Sequence, residues 1–301
     1  MNALPDSVIH ADWSVSPRNR WSTAASLQPD SSYLVDAPTR VTDPTPLREA
    51  VEGQRRLLGL DVTIGLPRLF AKGAGITVFL PWLSELGRPP WDEVFTLARA
   101  PDEISIRRPF YPARPGGARH RHLLEALGMS SIDDLLRACE RRPPLARRAS
   151  PLFWTLGAAQ VGRASVSAWR DVVMPAHREG AAVWPFDGSL TTLTATRRLT
   201  IVEAYPAELG VHLGVVPAAK LDRATRSTCA SAIIEVASRV GAELSAAAVV
   251  EARSGFTNDH AFDSFVGALG MLNVLRGNRP ADPPVETPDV RTIEGWILGV
   301  G

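Results

Sequence analysis

Three apolar runs of strand length each carry an acid, and this constrains the 301-residue chain more than any other feature. Residues 8–13 include Asp12, residues 57–64 hold Asp61 and residues 199–205 hold Glu203. A fourth acid, Asp263, falls between Phe262 and Phe265, on a helical face whose apolar neighbours predict burial. A carboxylate taken out of water costs several kcal/mol unless it is paired, hydrogen-bonded or bound to a cation. The fold must therefore bring partners to these positions.

The acids sit in a recognisable order of elements. Residues 8–13, 20–26 and 32–37 are short apolar runs bounded by turn residues, spaced as an antiparallel meander. Residues 46–56 predict a helix opened by Pro46 and weakened by Gly53, and 57–64 a fourth strand closed by Gly65-Leu66-Pro67. Residues 65–198 differ in texture, with proline pairs and helix candidates at 76–86, 91–98, 119–127, 132–140 and 158–178. Residues 199–205 form the fifth strand, followed by helices at 221–240 and 243–251. Thr257 or Asn258 then caps a helix running to Gly277, with an acid in its first turn, and 292–299 closes as a short strand or turn. The expected fold is α/β: a mixed five-stranded sheet with flanking helices, its core formed by 1–64 and 199–301. A large, mainly helical insertion, 65–198, separates strands four and five.

Composition narrows the function. Hydrophobic residues make up 45% and charged residues 22%, which excludes a disordered or fibrous chain. The net charge of +1 argues against bulk attraction to nucleic acid or membrane, though not against a local basic groove. Cys139 and Cys229 make no disulfide framework and lack zinc-ligand spacing. Residues 1–12 lack a signal-peptide pattern, and the apolar stretch 229–250 is broken by Glu235, Arg239 and Glu243. These features predict a soluble, cytoplasmic protein with no membrane partner.

Asp259 and Asp263 are four apart, and His260 and Asp263 three apart, so each pair shares a face of one helical turn. Like charges so close repel, and a divalent cation between them removes the repulsion. Carboxylates with one imidazole suit Mg²⁺ or Mn²⁺, and two such ions would serve phosphodiester hydrolysis. Each residue also has a plain structural reading. Asp12 can cap a turn with Ser14, Asp61 can pair with Arg55 or Arg56, Asp259 favours a helix start, and His260 can simply be solvated. Glu203 has the stronger functional claim, because strand interiors disfavour Glu.

Asp12-Trp13-Ser14, the stretch from Gly59-Leu60-Asp61 to Leu66-Pro67, Glu203-Ala204-Tyr205-Pro206 and Asp259-His260-Ala261-Phe262-Asp263 occur in that order. Together they resemble the predicted-nuclease family known as domain of unknown function four-two-nine, placed in the RNase H-like superfamily. Glu294-Gly295-Trp296-Ile297 is a weaker match. The resemblance covers about half of the chain. It implies an RNase H-like core with catalytic acids on the first strand, the fourth strand and the final helix: Asp12, Asp61 and Asp263. His260 takes the His-x-x-Asp place of RuvC-like resolvases, and Glu203 stands where the family has a Glu. Thr63 departs from the family, where a proline is expected. With Asp259, added from the helical spacing, the expected metal ligands are Asp12, Asp61, Asp259, His260 and Asp263.

Between residues 107 and 148 lie ten arginines against four acids, interleaved with Phe110 and Tyr111 and flanked by Trp91, Phe153 and Trp154. Arg107, Arg108, Arg119 and Arg121 are the candidate phosphate contacts, with the aromatics stacking bases; a merely solvated basic surface is the alternative. The expectation is a metal-dependent nuclease. Its rival is a non-catalytic nucleic-acid-binding or assembly module that keeps the fold. A nucleotide hydrolase or sugar kinase ranks last, since residues 12–17 have no glycine to cradle phosphate.

Overall fold

The strands are β1 (Ser7–Asp12), β2 (Trp21–Leu27), β3 (Tyr33–Val35), β4 (Thr39–Arg40), β5 (Arg56–Leu60), β6 (Ala182–Val183), β7 (Leu199–Glu203) and β8 (Ala242–Leu244). They form one mixed sheet in the order β6-β7-β5-β1-β2-β3-β8, with β4 paired to β2. This is a computed structural model, describing residues 4–49, 51–141, 149–156, 161–284 and 287–301. β1, β2 and β3 are antiparallel neighbours, whereas β1, β5, β7 and β6 run parallel, as do β3 and β8.

The fold is α/β and the sheet mixed as expected, but among the described residues it has eight strands, not five. β4 and β6 are two residues long and β8 three, too short to show alternation in a sequence. β8 falls at the start of the predicted helix 243–251; the helix itself is Ala246–Ser254, capped by the Ser245 side chain. The predicted helix 46–56 is one turn, Thr45–Arg48. Residues 91–98 are turns, and 132–140 resolve into two 3-10 turns, Ile132–Leu135 and Ala138–Arg141. The fourth strand stops at Leu60, so Asp61 lies just beyond it.

Each face of the sheet buries its own core. Ile9, Ala11, Leu58, Leu60 and Ile201 pack with Phe79, Trp82, Phe110 and Trp169 of the 65–198 stretch. That stretch is therefore the cover of one face, and it also contributes β6 to the sheet edge. Val8, Leu57 and Val202, on the alternate positions, pack with helices Pro206–Leu213, Ala230–Arg239 and Asp259–Leu275.

The Asp259–Leu275 helix begins where the sequence places it: Asn258 Oδ1 accepts the Ala261 N–H at 2.8 Å. It lies close against β1 because Gly267 leaves room for the His10 ring, with which a Cβ would collide. His10 is fully buried and its Nε2 donates to the Ala204 carbonyl at 3.1 Å; burial pushes its pKa down to about 4. Ser264 and Thr23 share a hydrogen bond of 3.0 Å, which helps fix the helix over β2. Among the described residues no helix is long and apolar enough to cross a membrane.

Candidate active site at the ends of two parallel strands

Asp12 closes β1, and its position decides which face it serves. Ala11 is paired with Leu60, and the Asp61 N–H donates to the Ala11 carbonyl at 3.1 Å. Asp61 therefore extends β5 by one residue and lands beside Asp12, on the face under the Asp259–Leu275 helix. That helix delivers His260 and Asp263 from its first two turns. The C-terminal ends of parallel strands are where open α/β sheets present binding groups, because loops and helix ends converge there.

The side chains meet. Asp61 and Asp12 are hydrogen-bonded to one another. His260 Nδ1 donates to Asp12 Oδ2 at 2.5 Å. Asp263 Oδ2 accepts from the Lys220 ammonium. Asp12 is 5% exposed and Asp263 7%, while Asp61, Asp259, His260 and Lys220 are partly exposed. The cluster thus opens to solvent on the side of the helix N-terminus and the loop bearing Lys220.

Burial, then the charge of Asp263, drives the Asp12 pKa well above the ordinary carboxylate range. Burial, Asp12 and Asp263 do the same to Asp61. Asp263 is raised by burial, against the pull of Lys220. Burial disfavours the Lys220 ammonium, yet Asp263, Asp61 and Asp12 lift its pKa above the usual value. Burial is the leading cause of the three carboxyl shifts, and the crowding of carboxylates around one ammonium adds to it for Asp12 and Asp61.

Glu203 does not join them. Its register partner is Leu60, one residue short of Asp61, so its side chain enters the opposite face. There it holds the fully buried Arg137 through Nη2 to Oε1 at 2.6 Å and Nη1 to Oε2 at 2.7 Å, and accepts the Ile64 N–H at 2.7 Å. Glu140 takes the other edge of the guanidinium, with Nη2 to Oε1 at 2.9 Å, and Nη1 donates to the Glu294 carbonyl at 3.0 Å. The group that looked most functional is the anchor of the 65–198 stretch. Burial raises the Glu203 pKa despite Arg137.

The expected ligands Asp12, Asp61, Asp259, His260 and Asp263 gather in one region, but their donors turn to each other and to Lys220. Among the described residues no three His, Cys, Asp or Glu side chains are set about a common point as metal ligands. The donor chemistry nonetheless fits a hard divalent cation, since carboxylates that must share a proton offer oxygens to one.

Of the basic candidates, Arg108 is tied to Glu103 Oε2 at 3.1 Å and to the Leu97 carbonyl at 3.0 Å. Arg107, Arg119 and Arg121 are exposed, the last two at the start of helix His120–Leu127. Phe110, Tyr111 and Phe153 are buried in the core and cannot stack bases; Trp91 and Trp154 keep partial exposure. Arg142, Arg147 and Arg148 lie outside the described residues. The 65–198 stretch does reach the site's edge. Trp13 Nε1 donates to Ser167 Oγ at 3.3 Å and the Thr63 N–H to Ser165 Oγ at 3.1 Å, both from helix Val161–Ala168.

Sequence reasoning missed Lys220 and Arg137. Lys220 did carry a signal, as one of two lysines among 33 basic residues. The chain matches no protein-family profile, no curated protein and no solved structure.

Proposed function

We propose that the chain is a metal-dependent nuclease with an RNase H-like core. One observation carries the reading: Asp12, Asp61 and Asp263, from three distant segments, meet in one pocket with fewer cations than carboxylates. The sheet's three antiparallel strands continued by parallel β5 and β7, with acids on β1, just beyond β5 and on the last long helix, support it. So does the resemblance in sequence to the predicted-nuclease family.

Asp12, Asp61 and Asp263 would hold Mg²⁺ or Mn²⁺, with Asp259 at the rim. A bound ion supplies Lewis acidity to the phosphodiester and to its attacking water. His260, with Nδ1 fixed on Asp12, keeps Nε2 free to take a proton from that water. Water oxygen bonds to phosphorus, one P–O ester bond breaks, and the leaving oxygen departs with the electron pair and is protonated. Arg107, Arg119 and Arg121 would hold the flanking phosphates of DNA or RNA.

A second reading has its own support. Lys220 already satisfies part of the cluster through Asp263, as suits a non-catalytic nucleic-acid-binding module. Incubation with single-stranded, duplex and junction DNA and RNA, with Mg²⁺ or Mn²⁺, decides between them. Cleavage that Asp12→Asn abolishes supports the nuclease; intact substrates of every shape with both metals overturn it.

A further inference from the structure

The position of Lys220 is built into the fold. Arg226 is 3% exposed, and it donates from Nη1 to the Lys220 carbonyl at 2.6 Å and from Nε to the Gly255 carbonyl at 2.8 Å. Gly255 ends the helix Ala246–Ser254 and precedes the Asn258 cap of the helix that carries Asp263. One guanidinium thus sets the lysine's backbone against the helix start. Asp222 Oδ2 accepts the Thr225 N–H at 2.9 Å and turns the chain away immediately after Lys220. The ammonium ends on Asp263, whose side chain is 10% exposed, within the field of Asp61 and Asp12.

Charge decides what else fits. Asp12, Asp61 and Asp263 carry three negative charges when ionised, which one divalent ion and the ammonium balance. A second divalent ion would leave the substrate-free cluster with positive charge in excess, even with Asp259 counted, and next to the buried Asp12 and Asp263 such an excess is costly. Asp12 and Asp61, at the strand ends, would hold the one ion; Lys220 pairs with Asp263 on the helix.

Resting on the nuclease reading above, we infer that the Lys220 ammonium is a resident cation standing where a second metal would go, so that the site takes a single Mg²⁺ or Mn²⁺. Calorimetric titration of the full chain with Mn²⁺ tests this without any substrate. The wild type is expected to bind one ion. Lys220→Met is expected to bind two, the first at least about tenfold more tightly than in the wild type because a contacting positive charge is gone. Two ions on the wild type, or one on Lys220→Met, overturns the inference and leaves the nuclease reading standing. No Mn²⁺ on either protein overturns the nuclease reading itself.

A second measurement needs no variant. With lysine ¹⁵N-labelled, the protein gives two side-chain Nζ signals, from Lys72 and Lys220. The Lys220 signal is expected to remain distinct from a free ammonium after saturation with Mg²⁺. Its collapse onto the free-lysine position would show that the ion evicts the ammonium, and the inference fails.

Discussion

His260 Nδ1 lies 2.5 Å from Asp12 Oδ2, although 248 positions separate the two residues in the chain. Asp12 also contacts Asp61, so a single carboxyl joins the end of β1, the residue after β5 and the start of the last long helix. The carboxylate favours the imidazole tautomer with its proton on Nδ1.

If His260 takes the water's proton, His260→Ala lowers kcat by about 10²–10⁴-fold, the usual range for a general base. Asp12→Asn weakens the acceptor of His260 and, on the proposed reading, removes a charged metal ligand, and is expected to reduce activity at least as far. Steady-state cleavage of the best substrate measures both. Unchanged kcat in His260→Ala would assign proton transfer to another group.

The pH dependence of stability follows from the raised carboxylates. Asp12, Asp61 and Asp263 bind protons more tightly in the fold than at the ordinary value of 3.8. Their contribution is complete below that value and is lost as pH rises through the raised ones. Asp6 and Asp171 have lowered values and act in the opposite sense, at pH values below 3.8. Urea midpoints measured upward from about pH 4 should therefore fall less steeply in Asp61→Asn than in the wild type. Mg²⁺ should restore the wild-type midpoint at the upper end, where the carboxylates are ionised. Parallel curves for the two proteins would refute the assignment.

Arg137→Met leaves Glu140 and Glu203 buried without a cation and should cost about 3–5 kcal/mol in chemical denaturation. Glu203→Gln keeps part of the hydrogen bonding and should cost less. Because Glu203 lies across the sheet from Asp12, turnover per folded molecule in Glu203→Gln should stay within about threefold of the wild type, well under the loss expected for a catalytic group. A collapse of kcat at full folding would return Glu203 to the catalytic set.

Replacing Arg107, Arg119 and Arg121 together by Ala should weaken nucleic-acid binding evenly across sequences. The slope of log K against log salt should become shallower by about 0.7–0.9 for every arginine that neutralises a phosphate in the wild type. Fluorescence anisotropy at several salt concentrations reads both effects. An unchanged slope would leave these arginines as surface charge.

Much of the frame was readable along the chain. The apolar runs of β1, β2, β3, β5 and β7 are bounded by turn residues, and Asn258 precedes an acid in the way helix caps do. The alternation of Leu57 and Leu58 between two cores follows from strand geometry alone. Shorter elements were not readable. Residues 91–98 and 132–140 have helical spacing of apolar positions, but spacing over two turns does not stop turns or 3-10 geometry from burying the same side chains.

The sequence by itself determined that acids stand where apolar residues would be expected, and that partners must be found for them, since burial of a carboxylate is costly wherever the chain places it. Only the tertiary structure decided which partner each acid has. A register offset of one residue sends Glu203 to Arg137 and Asp61 to Asp12, because side chains alternate between faces. Lys220 reaches Asp263 through a loop pinned by Arg226, a relation among three segments that no local pattern encodes. Local periodicity reports which residues seek burial; electrostatic partnership depends on distances that exist only after the sheet and its covering helices have formed.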